Sequence, residues 1–502
     1  MFTRLRDHWL RMDLRSVGLF RATIGCVLLC HLADRWSLRD DFYGSRGVLP
    51  ASLLTASREI PNFPTLLAAL EGHSWGIGLF FLVAALAAVS LTIGLFTRGS
   101  AFLSLLAFST LAHRNPYVLI AGDYVLGSML LWLTVLPAGN RFSVDVMLSR
   151  REFNEQPESR PSLAVLGVLL QLGLIYFATA WQKSGPTWWR DGTALEHLLG
   201  LHQFARPGAA VASTLPESWL IALTHGVLAF EFLVLPLILL PFARSWLRRV
   251  ALLGLLALHI GIACVIDTGG FSITMLACLP LLVSTDDWKS WERWTARCRS
   301  AVDTLGTTHP TTHPQEQRWL LVAAIELISA WLLLGMVASN YALNFAIGPR
   351  EAPRSWFDLQ QRFAAAHQRW DMFAPDAPKF DPQLVVRVRQ RDGRLLSLQS
   401  DDDLPSAGID LAPRLRPFAC RIYIGHAILQ FNPARQTETE ALRTELCRFV
   451  LRELTTTGRP RHAIHAIELW SRSIPTSRRE RNALPPEPVF VSSLLVPDRL
   501  AN

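Results

Sequence analysis

Runs of apolar residues separated by short basic loops constrain this 502-residue chain more than any other feature. Residues 75–96 form one uninterrupted, uncharged run, and several others approach that length. About 20 apolar residues are needed for a helix to cross a bilayer. Inside hydrocarbon every backbone N–H and C=O must find its partner within the chain, which restricts such runs to helices or closed barrels. With half of the residues hydrophobic and a positive mean hydropathy, the composition is too apolar for an ordinary soluble protein.

Read in order, the runs predict nine crossings, at residues 16–33, 75–96, 101–112, 117–137, 163–180, 219–241, 250–266, 271–283 and 319–338. The run 271–283 is brief for a full crossing and points to tilt or a partly re-entrant path. Arg4, Arg6, Arg11 and Arg15 precede the first run. Four basic loops follow: the turn with Arg98, the stretch with Arg141, Arg150, Arg151 and Arg160, the turn with Arg244, Arg248 and Arg249, and the stretch with Lys289, Arg293, Arg297 and Arg299. Nine crossings from a cytoplasmic amino terminus put all four inside and the carboxy-terminal region outside, as the positive-inside rule requires. The expected fold class is an all-α polytopic membrane bundle of about nine transmembrane helices over residues 1–341, followed by a small extramembrane α+β domain over 342–502, with the cell inner membrane as its location. The net charge of +8 belongs to these loops. It makes no single basic face, so nucleic acid is not an expected partner. Seven cysteines show no metal-ligand spacing, and no metal is expected.

After the last run the chain turns polar. LVVRVRQ, a turn at Arg391-Asp392-Gly393, and RLLSLQ predict a β-hairpin. Residues 437–454 have apolar positions at helical spacing, and AIHAIELW and PVFVSSLLV read as further strands. Cys420 and Cys447 lie on the side where a disulfide can persist, and nothing else in the sequence pairs them.

Ionisable residues within the runs are Arg21, His31, Asp123, His225, Glu231, His259 and Glu326. Such groups are costly in lipid and are functional candidates by default. The plainer reading is that they pair with one another, for example Arg21 with Asp123 or Glu326. His225 and Glu231 are six apart, so they occupy different helix faces. At the outer end of the fifth run, QLGLIYFATAWQKSGPTWWRDG places Lys183 before a Gly185-Pro186 bend and then Trp188, Trp189, Arg190 and Asp191. A lysine and two tryptophans at a helix end also satisfy simple interfacial anchoring. An amine desolvated among tryptophans has its charged form disfavoured and can instead serve as a base.

Tyr176-Phe177 followed by Lys183 and Trp188 resembles the segment of the vitamin K-dependent γ-glutamyl carboxylase that holds its catalytic lysine, with Gln182 where that family has a second lysine. The wider match, through GVLP at 47–50, HRNPYVLIAGD at 113–123, FSVD at 142–145, WWRDGTALEHLL from Trp188 and the His259 helix followed by FSITML, resembles the bacterial HTTM (horizontally transferred transmembrane) proteins. QRWDMFAPDAP from Gln368 resembles a segment found after the membrane region in many of them. The resemblance implies a lipid-quinol-dependent, oxygenase- or carboxylase-like enzyme with Lys183 as base and a reduced quinone of the vitamin K type as co-substrate. His225, Glu231 and His259 would be the other catalytic groups. Trp188, Trp189, Arg190, Asp191, Asp123 and Arg114 would be the substrate-binding ones, with membrane lipid and an extracytoplasmic protein or peptide as partners. Gly122 and Asp123 stand where the carboxylase has a histidine that assists carboxylation, which favours the quinol half of the chemistry. The alternative is a noncatalytic membrane protein whose bundle positions the outer domain for a partner or lipid.

Overall fold

The computed structural model describes residues 7–44, 47–49, 67, 70, 73, 75–148, 158–242, 244–299, 319–345, 359–360, 363–364, 366, 368–398, 424–425, 436–456, 461–477 and 487–496. A helix stands at each of the nine predicted positions: α1 Leu14–Ser37, α2 Gly76–Ile93, α3 Thr97–Arg114, α4 Ala121–Leu133, α5 Leu163–Gln182, α6 Glu217–Leu239, α7 Arg244–Val265, α8 Phe271–Cys278 with a 3-10 extension Leu279–Leu282, and, after the surface helix α9 Thr285–Arg299, α10 Trp319–Asn340. Six of them, α1, α2, α5, α6, α7 and α10, are long and apolar enough to cross a membrane.

The other three depart from expectation for local reasons. The third run extends back over Arg98, because Asp145 of the FSVD motif accepts hydrogen bonds from the amides of Phe96 and Thr97 and from the Thr97 hydroxyl at the helix start. The fourth run breaks in two: Pro116 opens a 3-10 turn, and α4 begins only at Ala121, where Asp123 accepts from the Ile120 amide. The eighth is short, as its sequence suggested, and Pro280 falls in its 3-10 end.

Contacts between helix ends sort into two faces. On one, Trp9 donates to the Leu239 carbonyl, Trp288 to the Ser16 hydroxyl, Arg21 to the carbonyls of Thr92 and Phe142, and the Leu163 amide to Glu326. Arg21 thus caps carbonyls instead of pairing with Asp123 or Glu326. On the other face Asp123 meets His31 and Arg35, each at 3.2 Å, while Arg114 donates to the Leu49 and Gly44 carbonyls.

Beyond the bundle, β1 Phe380–Gln390, β2 Leu395–Ser397, β3 Ile464–Pro475 and β4 Val489–Leu495 form one antiparallel sheet in the order β2-β1-β3-β4. The helix α11 Gln436–Thr456 packs on β3 and β4, so the predicted hairpin, helix and two strands are all present. Cys447 is a buried free thiol whose Sγ faces the Ile467 carbonyl; Cys420 lies outside the described residues.

The polar segment after α10 does not simply leave the bundle. The Gln360 amide donates to the Leu332 carbonyl and the Ser109 hydroxyl to Phe363, and buried Gln368 accepts from both Gln171 and Asn340 at 2.8 Å. Gln171 lies in the middle of α5, so this stretch dips back among the helices before emerging toward β1. Irregular backbone is tolerated at such depth only when surrounded by protein. Asn344 completes the enclosure, donating to the Gln368 carbonyl and accepting from the Trp370 amide.

Candidate functional site

The site forms where α5 ends against α6. Gly173 lets the two helices approach closely, since a Cβ there would run into the Leu235 side chain. Further along the same contact Phe177 stacks edge-on against Phe232. This register brings the side chain of Lys183, the last residue to close α5, back to Glu231. Its Nζ lies 2.8 Å from Oε1 and 2.7 Å from Oε2, and the two side chains are only 5% and 9% exposed. The buried Trp188 ring sits over the amine with its centroid 4.3 Å from Nζ, a cation–π contact when the amine is protonated.

Tyr176 precedes Lys183 by seven positions, two helical turns, and so faces the same way. Its hydroxyl is 2.6 Å from His259 Nε2 on α7, and Glu231 and Cys278 are near enough to act on it electrostatically. His259 is fully buried and packs edge-on against Phe271. Its Nδ1 has no hydrogen-bond partner among the described residues. The interior of the bundle therefore holds two adjoining pairs, amine with carboxylate and phenol with imidazole.

A loop clamp fixes the position of Trp188. The Gly185 amide donates to the Pro375 carbonyl at 2.8 Å, and Trp188 Nε1 donates to the Phe373 carbonyl at 2.9 Å. Asp376 Oδ1 accepts from the Thr187 amide and hydroxyl at 2.9 and 2.7 Å. Glycine at 185 makes room for this contact, because a Cβ there would displace the Asp376 carboxyl group. Phe373, Pro375 and Asp376 of the QRWDMFAPDAP motif thus form one wall of the Lys183 site.

Of the residues expected at the site, Lys183, Glu231, His259 and Trp188 come together. Trp189 donates to the Lys183 carbonyl but is half exposed, and Arg190 and Asp191 are exposed on the loop surface. His225 faces the Trp189 carbonyl at 3.3 Å, on a different side of α6 from Glu231. It does not join the buried cluster. Asp123 and Arg114 are engaged elsewhere, as described. Gln182 donates to the Asn344 carbonyl and helps anchor the end of α10. Sequence reasoning did not assign Tyr176 or Asp376 to the site. The seven-residue spacing could have found Tyr176; nothing local marks Asp376.

A polytopic helical protein with a buried amine–carboxylate pair beneath an indole is an integral membrane protein with an ionisable core. The HTTM domain profile matches residues 10–288, more than half of the chain, and the chain belongs to the HTTM domain family. Searches of curated proteins and of solved structures return no match.

Proposed function

We propose that this protein is a membrane enzyme that takes a proton from a lipid-borne quinol, with the Lys183–Glu231 pair as its base. The observation that carries this reading is the buried amine held by both oxygens of a buried carboxylate under Trp188. An ammonium and a carboxylate removed from water are stabilised by each other only when geometry is good. Transfer of one proton from Nζ to Glu231 keeps the net charge and the hydrogen bond, and leaves a neutral amine able to accept a proton. Glu231 thus acts as the proton reservoir for Lys183, and the Tyr176–His259 pair beside it offers a route for protons along the bundle.

A reduced quinone, implied by the carboxylase resemblance, would supply an acidic hydroxyl and reducing electrons. The residues fit such a group: Trp188, Tyr176 and Phe271 provide aromatic surface, and His259 Nδ1, without a partner among the described residues, provides a polar contact. Exposed Trp189, Arg190 and Asp191, with His225 behind them, would meet an extracytoplasmic peptide or lipid headgroup. The topology belongs to the same proposal: the sorting of helix ends into two faces supports helices that alternate in direction, and the basic loops carry the inference of nine crossings of the inner membrane with the amino terminus inside and the sheet domain outside.

The test is quinol oxidation under oxygen by the purified protein in lipid nanodiscs. Lys183→Ala and Lys183→Arg should both abolish turnover while quinol binding persists, because guanidinium stays protonated. Full activity in Lys183→Arg would sink the base assignment. The noncatalytic reading is favoured by the clamp through Gly185, Thr187 and Trp188, which ties bundle to outer domain. Mass spectrometry of co-purifying lipid separates the two: a bound quinone supports the enzyme, its absence the scaffold.

A further inference from the structure

Opposite the Lys183 site, on the face that carries the amino-terminal segment, the buried side chains of Arg248 and His8 and the half-buried one of Arg244 gather where α6 ends and α7 begins. Arg248 is 2% exposed and His8 4%. Arg248 Nε reaches the Ile238 carbonyl at 3.4 Å, but its buried Nη2 has no hydrogen-bond partner among the described residues. The same is true of Arg244 Nε and His8 Nδ1. Arg244 and Arg248 act on each other and on His8 electrostatically. Among the described residues the charge acting on Arg248 is that of Arg244, of its own sign. The acids that act on Arg244 have other partners: Asp7 pairs with Arg11, Asp286 accepts from Ser245, and Glu158 accepts from Thr285.

The carbonyls at the end of α6 account for part of this arrangement, since cations are favoured at a helix carboxy terminus. They do not account for the guanidinium N–H groups left over, and a buried cation in a membrane protein calls for a counter-ion. Each arginine has one such buried nitrogen, and guanidinium donors suit phosphate oxygens. The first turn of α7, which starts at Arg244, adds backbone amides of the same polarity. Trp246 and Phe242 are exposed on either side, as expected of residues at the level of lipid headgroups.

We propose that Arg244 and Arg248, with His8 at the wall, form a phosphate-binding site for the headgroup of an anionic phospholipid in the adjoining leaflet. His8 refines the ligand class. Burial, with the charges of Arg248 and Arg244, pushes its imidazole down to about 4, so the ring is neutral at pH 7. With Nε2–H given to the Leu239 carbonyl, Nδ1 is an acceptor, suited to a hydroxyl on the headgroup.

The test is native mass spectrometry of the delipidated full-length protein with phosphatidylglycerol, phosphatidylcholine or inorganic phosphate added singly. Phosphatidylglycerol should be retained and phosphatidylcholine should not. Arg248→Gln should lower retention about tenfold, the loss expected for one charge-assisted hydrogen bond. Arg244→Gln, at the less buried position, serves if Arg248→Gln fails to fold, and should lower retention likewise. Equal retention of the two lipids, or unchanged retention in the variants, overturns the proposal. Stabilisation by inorganic phosphate equal to that by phosphatidylglycerol overturns the lipid source in favour of a free anion. Lys183→Ala should bind the lipid as wild type does, so failure of the enzyme reading leaves this site standing.

Discussion

Removing one member of the Lys183–Glu231 pair should cost far more than removing both. In Lys183→Met, Glu231 loses its two hydrogen bonds and remains as an uncompensated carboxylate in the bundle. With these side chains 5% and 9% exposed, solvent screens the loss little, and about 3–5 kcal/mol is expected. Loss of the cation over Trp188 adds about 1 kcal/mol. Glu231→Leu leaves the mirror defect, a buried amine without its acceptors, at a similar cost of about 3–5 kcal/mol. Lys183→Met/Glu231→Leu removes both charges and leaves apolar side chains of comparable volume, which buried pairs tolerate at little net loss. The cycle should therefore be non-additive by about 3 kcal/mol or more. Denaturant titrations in bicelles, followed by tryptophan fluorescence, measure all four corners. Single variants within about 0.5 kcal/mol of wild type, or strictly additive effects, would refute the buried-pair argument.

Asp376→Ala removes both acceptor contacts to Thr187 and should loosen the loop under Trp188, read as a red shift in tryptophan emission and a loss of about 1.5–3 kcal/mol. Gln368→Leu should orphan the Gln171 amide and leave Asn340 only its bond to the Met336 carbonyl, and it should lower the melting temperature more than Gln360→Leu, because it strands more buried donors. Burial alone would raise the Asp145 carboxyl, but the amides and hydroxyl of Thr97 and the Phe96 amide outweigh it and hold it below its usual range. Its contribution to stability is present above the unfolded value of about 3.9 and is lost as pH falls through the lower folded value. Asp145→Asn should flatten that acid limb in a stability–pH series. A cysteine at Asp392, in the exposed β1–β2 turn, should react with an impermeant reagent in a cysteine-free background without lysis if the sheet domain lies outside.

Helix positions were legible because hydrocarbon imposes a length and a polarity that the sequence must display. The ends were less so: Asp145 and Asp123 set the starts of α3 and α4 through contacts that hydropathy does not weigh. Lys183 stood out by its surroundings and Glu231 as a charge within an apolar run, but their pairing did not, since they lie 48 positions apart and the register depends on close packing at Gly173. Arg35, the partner of Asp123, lay just past the predicted end of the first run and was passed over. The re-entry of Gln368 was hidden for a different reason. A polar, mixed stretch after the last apolar run reads as leaving the membrane, and only a buried set of Gln and Asn partners from α5 and α10 makes its depth favourable.

That re-entry sets an order of events during synthesis. Helices α1 to α10 are all translated before Gln368 emerges from the ribosome, so the bundle must wait with Gln171, Asn340 and the underside of the Lys183 loop uncovered. Insertion of the helices and completion of the core are consequently separate steps. The second waits on a stretch of chain that arrives last and must find its way back between helices already in place. A chain stopped just after α10 would hold every membrane helix and still lack the part that closes them around Lys183.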